Sequence, residues 1–185
     1  MLTIPALTPR ATAPAKPLEI YVCPFTVLES NAEQAPWSFQ SIVLGDQQWV
    51  IPRKRQHMKT ADYSMEVGGQ SFEDRILIER KADDFVSSIT TERARFEREH
   101  ERMKAVVDAG GFACMISELS LSSICDALDD PYSDRKVSSD TVIGTVATWP
   151  RRYGVNWFFV GDRRRAELLA FRILWKFYQE QHDGQ

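Results

Sequence analysis

The stretch Arg75-Ile76-Leu77-Ile78-Glu79-Arg80-Lys81 constrains this chain more than any other. Its branched apolar residues run together too briefly for a helix of ordinary length, so Arg75 to Ile78 reads as a short strand. The strand ends in three charges. Strand side chains repeat every two residues, so Glu79 and Lys81 leave the chain on the same side of a sheet. A carboxylate is a hard oxygen ligand for Mg²⁺, which takes one or two carboxylates together with waters and phosphate oxygens. A lysine beside it is a compact charge that orients a water or stabilises negative charge growing on phosphorus. Together they suit metal-assisted hydrolysis. The bare triplet also fits a strand that simply finishes in solvated charge.

Asp62, in Thr60-Ala61-Asp62-Tyr63-Ser64, offers a second carboxylate, and Asp62…Glu79-x-Lys81 has the form of the nuclease signature Asp…(Asp/Glu)-x-Lys. The stretch Glu79-Arg80-Lys81, followed by Asp83-Asp84-Phe85-Val86-Ser87-Ser88-Ile89 and preceded by Ala61-Asp62-Tyr63-Ser64, resembles the XPF-type structure-specific DNA endonuclease domain. Glu33-Gln34-Ala35-Pro36-Trp37 looks like the end of that family's earlier Asp-x-Arg-Glu block. Arg95 to Glu99 resembles the helix that follows Glu-Arg-Lys in stand-alone bacterial and phage members.

The resemblance implies a restriction-endonuclease-like α/β fold, with a central mixed sheet flanked by helices, in the PD-(D/E)xK nuclease superfamily. It implies an Mg²⁺- or Mn²⁺-dependent endonuclease acting on branched or duplex DNA. Asp62 and Glu79 are the expected metal ligands, Lys81 the residue that positions water or scissile phosphate, and Glu33 a further acidic participant. Arg80 is expected to hold substrate or a neighbouring carboxylate. XPF-type domains pair through the C-terminal end of the chain, so a homodimer through the C-terminal helices is a further expectation.

The chain departs from the family pattern at four places. The first Asp falls on Ser30, the Arg of that block on Ala32 and the Gly before Asp62 on Ala61, while the acid after Glu-Arg-Lys sits one place early at Asp84. Ser30 removes one expected ligand. It keeps open a second reading, in which the domain is a weakened or inactive DNA-binding partner subunit.

At 185 residues the chain has the length of one domain. Residues 1–17, with four prolines, read as a flexible arm, 18–180 as the nuclease domain and 181–185 as a disordered tail. The net charge of −3 argues against coating nucleic acid by bulk attraction, so DNA binding must be local. The absence of a signal pattern and of any long apolar run, with three widely spaced cysteines, leads us to expect a cytoplasmic protein that touches no membrane. The histidines lack zinc spacing.

Along the chain, Ile20 to Val22 and Phe25 to Leu28 read as strands separated by Pro24, and Phe39 to Leu44 with Trp49 to Ile51 as a hairpin turning at Gly45-Asp46. Arg53, Lys54 and Arg55 lie in the densest basic run, read either as a solvated loop or as an edge that contacts phosphates. Helices are expected at Ala82 to Ile89, Glu92 to Ala109, Ser120 to Leu128, Ser138 to Tyr153 and Arg163 to Gln179, with strands at Phe112 to Ile116 and Val155 to Val160. On the second helix Arg95, Arg98 and Arg102 share a face, the candidate surface for DNA phosphates, and Glu99 is placed to pair with Arg95 and Arg102.

Overall fold

The computed structural model describes residues 17–40, 42–132 and 137–182. The expected arm lies outside these residues except for Pro17, as do positions 133–136 of the polar loop after Asp129 and the tail from 183 onward.

The main sheet is built from β2 (Thr26–Ser30), β5 (Arg53–Gln56), β6 (Tyr63–Val67), β7 (Gln70–Ser71), β8 (Ile76–Lys81), β9 (Phe112–Ser117) and β10 (Asn156–Phe159). Its order is β10-β9-β8-β6-β2-β5, with β7 attached to β6. β8, β9 and β10 run parallel, β6 is antiparallel to both β8 and β2, and β5 closes the edge parallel to β2. β1 (Glu19–Val22), β3 (Ile42–Leu44) and β4 (Gln47–Val50) form a small sheet of their own, with the expected hairpin between β3 and β4.

Alternation along the strands separates two cores. Val27, Tyr63, Met65, Ile76, Ile78, Cys114 and Ile116 face the small sheet and α5 (Arg163–His182), which buries Ala166, Ala170, Phe171 and Leu174 against them. Leu28, Leu77, Ala113 and Met115 face α1 (Phe85–Ile89), α2 (Arg93–Asp108), α3 (Leu121–Asp129) and α4 (Ser139–Tyr153). Close approach of β9 to β8 requires glycine at 111, where a Cβ would lie 2.5 Å from the Arg75 carbonyl oxygen.

Several expectations change in detail. β8 extends through Lys81, because residues 76–81 all pair in register with β9, so Glu79, Arg80 and Lys81 belong to the strand itself. The basic run is a strand, β5, and β6 stands where no strand was expected: Ser64 and Glu66 interrupt its apolar pattern, yet Ser64 is buried, with its hydroxyl donating to the Ile76 carbonyl at 2.8 Å. α4 ends at Tyr153 as expected, with Pro150 inside it and Arg151 and Arg152 in its last turn. α5 continues to His182, two residues into the expected tail. Ile173 and Phe177 on α5 are half-buried against the chain's own core, as the apolar stripe of an amphipathic helix should be.

Candidate active site

The register of the main sheet assembles the site. Glu29 pairs with Tyr63, and Tyr63 with Ile78. One step further along these antiparallel strands, Ser30, Asp62 and Glu79 become neighbours across β2, β6 and β8, on the helix-facing side. They line one cleft of about 470 Å³ together with Ala32, Glu33, Lys81, Asp84, Arg95 and Glu99. A second cleft of about 540 Å³, lined by His57 and Arg102 among others, shares Lys59 and Thr60 with it. The second is the larger, but the carboxylates and Lys81 converge in the first, which is therefore the candidate site.

Asp62 enters this cleft from a strained turn. Ala61 has a φ of 61°, a left-handed conformation that costs an L-residue about 1 kcal/mol. The family's glycine at this position would adopt it without that penalty. The Arg80 backbone N–H donates to Asp62 Oδ2 at 2.8 Å, so the strand that carries Glu79 also holds Asp62. Burial first, then the nearby Glu79 carboxylate, raises the Asp62 pKa well above the ordinary range, and the Arg80 N–H opposes this.

Glu79 is only 3% exposed. Its Oε1 lies 2.8 Å from Lys81 Nζ, while its Oε2 is buried without a hydrogen-bond partner. Such an oxygen in a cleft shared with a second carboxylate fits a divalent cation, which would satisfy it and relieve the repulsion between Glu79 and Asp62. Lys81 is 6% exposed, reaches Asp84 at 3.5 Å and places its ammonium 4.9 Å from the centroid of Phe96. Burial works against its charge, but Glu79 and then Asp84 outweigh burial and raise its pKa.

Arg80, on the opposite face of β8, holds two carboxylates. Its Nε donates to Glu118 Oε1 at 2.7 Å and its Nη1 to Glu33 Oε1 at 3.2 Å. Glu118 Oε1 also accepts from Trp37 Nε1 at 2.7 Å and from Arg163 Nη1 at 3.3 Å. Of the two roles expected for Arg80, this geometry fulfils the carboxylate-holding one, with Glu33 as the carboxylate.

The two basic surfaces differ. In β5, Arg53 and Arg55 pair with Glu29, and Lys54 with Glu66 at 2.6 Å. On α2, Arg95 pairs with Glu92, Arg102 donates to the Thr60 hydroxyl and Arg98 is exposed. Among the described residues no ion pair joins Glu99 to Arg95 or Arg102, contrary to the sequence expectation. Glu99 and Glu118 were both missed as site residues. Glu99 follows the buried Phe96 by one helical turn, and Glu118 directly follows a parallel strand at its C-terminal end, where α/β sheets place ligands.

Burial first, then Glu79, pushes the Glu99 carboxyl up to about 7, while burial lowers the His100 imidazole to about 4. A raised carboxylate makes the folded state hold a proton that the unfolded chain releases near its ordinary value, so Glu99 lowers stability as pH rises from 4.5 to 7. A depressed histidine does the reverse between 4 and 6.5, and the two offset each other in the parent protein. The expected result is therefore differential. Glu99→Gln gains on the parent as pH rises through 4.5 to 7, by on the order of 2 kcal/mol in metal-free buffer. Thermal melts across that range check it, and a pH-independent difference refutes it.

A family profile described as the ERCC4 domain matches residues 25–170. Among solved structures, "XPF from Aeropyrum pernix" superposes with a TM-score of 0.57 at 17% identity, over 86% of this chain and 64% of that chain. The present chain thus spans less than two thirds of that structure's length. No curated protein matches significantly. The mixed sheet with helices on both faces is the restriction-endonuclease-like arrangement of the PD-(D/E)xK superfamily. Among the described residues no helix is long and apolar enough to cross a membrane.

Proposed function

The chain belongs to the ERCC4 domain family, a family of DNA nucleases, and from that premise we propose that it is a divalent-metal-dependent DNA endonuclease selective for DNA structure. The observation that carries this reading is the buried, unpartnered Oε2 of Glu79 in a cleft shared with Asp62 and Lys81. In this reading the domain spans 18–180 and works in the cytoplasm in DNA repair, recombination or phage DNA metabolism.

Asp62 and Glu79 would hold Mg²⁺ or Mn²⁺. The cation supplies Lewis acidity toward a phosphoryl oxygen and lowers the pKa of its bound water. Lys81, fixed by Glu79 and resting on Phe96, orients the attacking water or the scissile phosphate. Arg80 serves through its backbone N–H, which fixes Asp62, and through its guanidinium, which anchors Glu33 and the loop that carries it. Arg95, Arg98 and Arg102, with Lys59 at the junction of the two clefts, track DNA phosphates. Arg53, Lys54 and Arg55 contribute to that path only at the expense of their ion pairs.

Ser30 supports a second reading. A hydroxyl stands where the family pattern has a metal-binding carboxylate, as expected of a partner subunit that binds DNA without cutting it. Incubation with end-labelled forks, flaps and linear duplexes in Mg²⁺, Mn²⁺ or EDTA distinguishes the two. Internal cuts in either metal and none in EDTA are expected. DNA binding without cleavage in any metal establishes the partner reading, and absence of both binding and cleavage overturns the function altogether.

A further inference from the structure

Resting on the metal-dependent reading above, we propose that Glu99 of α2 supplies the carboxylate that Ser30 does not, holding the hydrated cation from the helix side of the cleft. Ser30, Asp62 and Glu79 form the sheet wall, and the wall facing it is the first half of α2. Phe96 and Met103, three residues before and four after Glu99, are both buried against the sheet. Side chains at these spacings share one side of a helix, so Glu99 is turned toward the same interior.

Three facts separate Glu99 from the other acids of the helix. It is half-buried in the cleft that holds Asp62, Glu79 and Lys81. The cations that act on it through space, Lys81 and then Arg95 and Arg102, each pair with another group: Lys81 with Glu79 at 2.8 Å, Arg95 with Glu92 at 2.9 Å and Arg102 with the Thr60 hydroxyl at 2.9 Å. It faces a Glu79 whose Oε2 has no partner either. A solvated, salt-bridged glutamate would meet none of these conditions. The elevated carboxyl of Glu99 is the electrostatic signature of the same crowding.

Among the described residues no three acidic, histidine or cysteine side chains converge as a ready-made ligand set. Mg²⁺ does not need one, since it keeps several of its waters. Glu99 is accordingly a positioning residue, binding the cation's water shell rather than the ion directly. Carboxylates in that role typically change metal affinity by about 10- to 100-fold.

The test is Mn²⁺ binding to the full chain without DNA, followed by electron paramagnetic resonance and calorimetry, so that cleavage is not the readout. Glu99→Gln should weaken Mn²⁺ by about tenfold. Glu101→Gln, an exposed acid on the same helix, should leave it unchanged. Ser30→Asp in the Glu99→Gln background should restore affinity, because it returns one charge from the sheet wall. Glu99→Asp keeps the charge and should fall between the parent and Glu99→Gln, and melting curves confirm that each variant is folded. If the parent binds Mn²⁺ and Glu99→Gln binds it within twofold, the proposal is overturned and the metal-dependent reading stands. If the parent binds no Mn²⁺ at all, that reading fails and the role of Glu99 falls with it.

Discussion

Glu79→Gln should reduce DNA cleavage by about 10³-fold while leaving metal-free DNA affinity within a few-fold of the parent. The amide keeps the size of the side chain but removes the charge on Oε2, the buried oxygen without a partner. An amide oxygen is a weaker ligand for Mg²⁺, and its N–H₂ end is no ligand at all. In the proposed reading DNA affinity rests on phosphate contacts made by arginines and lysines of α2 and the cleft rim, none of which contacts Glu79 apart from Lys81. Gel-based cleavage and fluorescence anisotropy, run on the same preparations, separate the two quantities. Cleavage within tenfold of the parent removes Glu79 from the centre of the reaction.

Strand physics makes the placing of Glu79 beside Lys81 legible in the sequence, while the candidate catalytic role of Glu79 rests on the family resemblance. The period of two places Glu79 and Lys81 on one side wherever the strand lies, and the buried run Ile76-Leu77-Ile78 fixes that strand without reference to the rest of the fold. Helices with strong periodicity, such as α2 and α3, were legible for the same reason, and Ser120 accepts from the Ser123 N–H as a capping serine should. β6 was not legible, since its buried Ser64 is stabilised by a bond to Ile76 that no local pattern encodes. The β5 run read as a basic surface because its counter-charges, Glu29 and Glu66, come from β2 and β6 and meet it only through sheet pairing.

The Arg80 network has the same origin. Trp37, Glu118 and Arg163 lie in three separate parts of the sequence, and only the order β9-β8-β6 together with the packing of α5 brings them onto one guanidinium and one carboxylate. Strand spacing placed Glu79 beside Lys81, while Asp62 and Glu33, on neighbouring segments, entered only through the family resemblance. Spacing does not reach groups brought in by neighbouring strands or by a helix crossing above, and Glu99 and Glu118 both belong to that class.

Lys81→Met should show how far the site depends on an internal cation when no metal is present. The substitution keeps the length and apolar stem but leaves the Glu79 carboxylate, 3% exposed, without the ammonium 2.8 Å away. Removing one partner of a buried pair costs about 3 to 5 kcal/mol, so the metal-free variant should melt roughly 6 to 20 °C lower. A divalent cation carries the same sign of charge into the same cleft. Millimolar Mg²⁺ should therefore recover a larger share of the lost stability in Lys81→Met than it adds to the parent, where the ammonium already offsets Glu79. Glu79→Gln should behave oppositely and gain little from Mg²⁺, because it leaves the cleft with one carboxylate fewer. Cleavage should remain about 10²- to 10³-fold down in Lys81→Met even with Mg²⁺ saturating, since the metal replaces the lost charge but not the donor that orients water and phosphate. Melting curves with and without Mg²⁺ on the parent and both variants decide this: equal Mg²⁺ stabilisation of all three would mean that the ion binds away from Glu79 and Lys81.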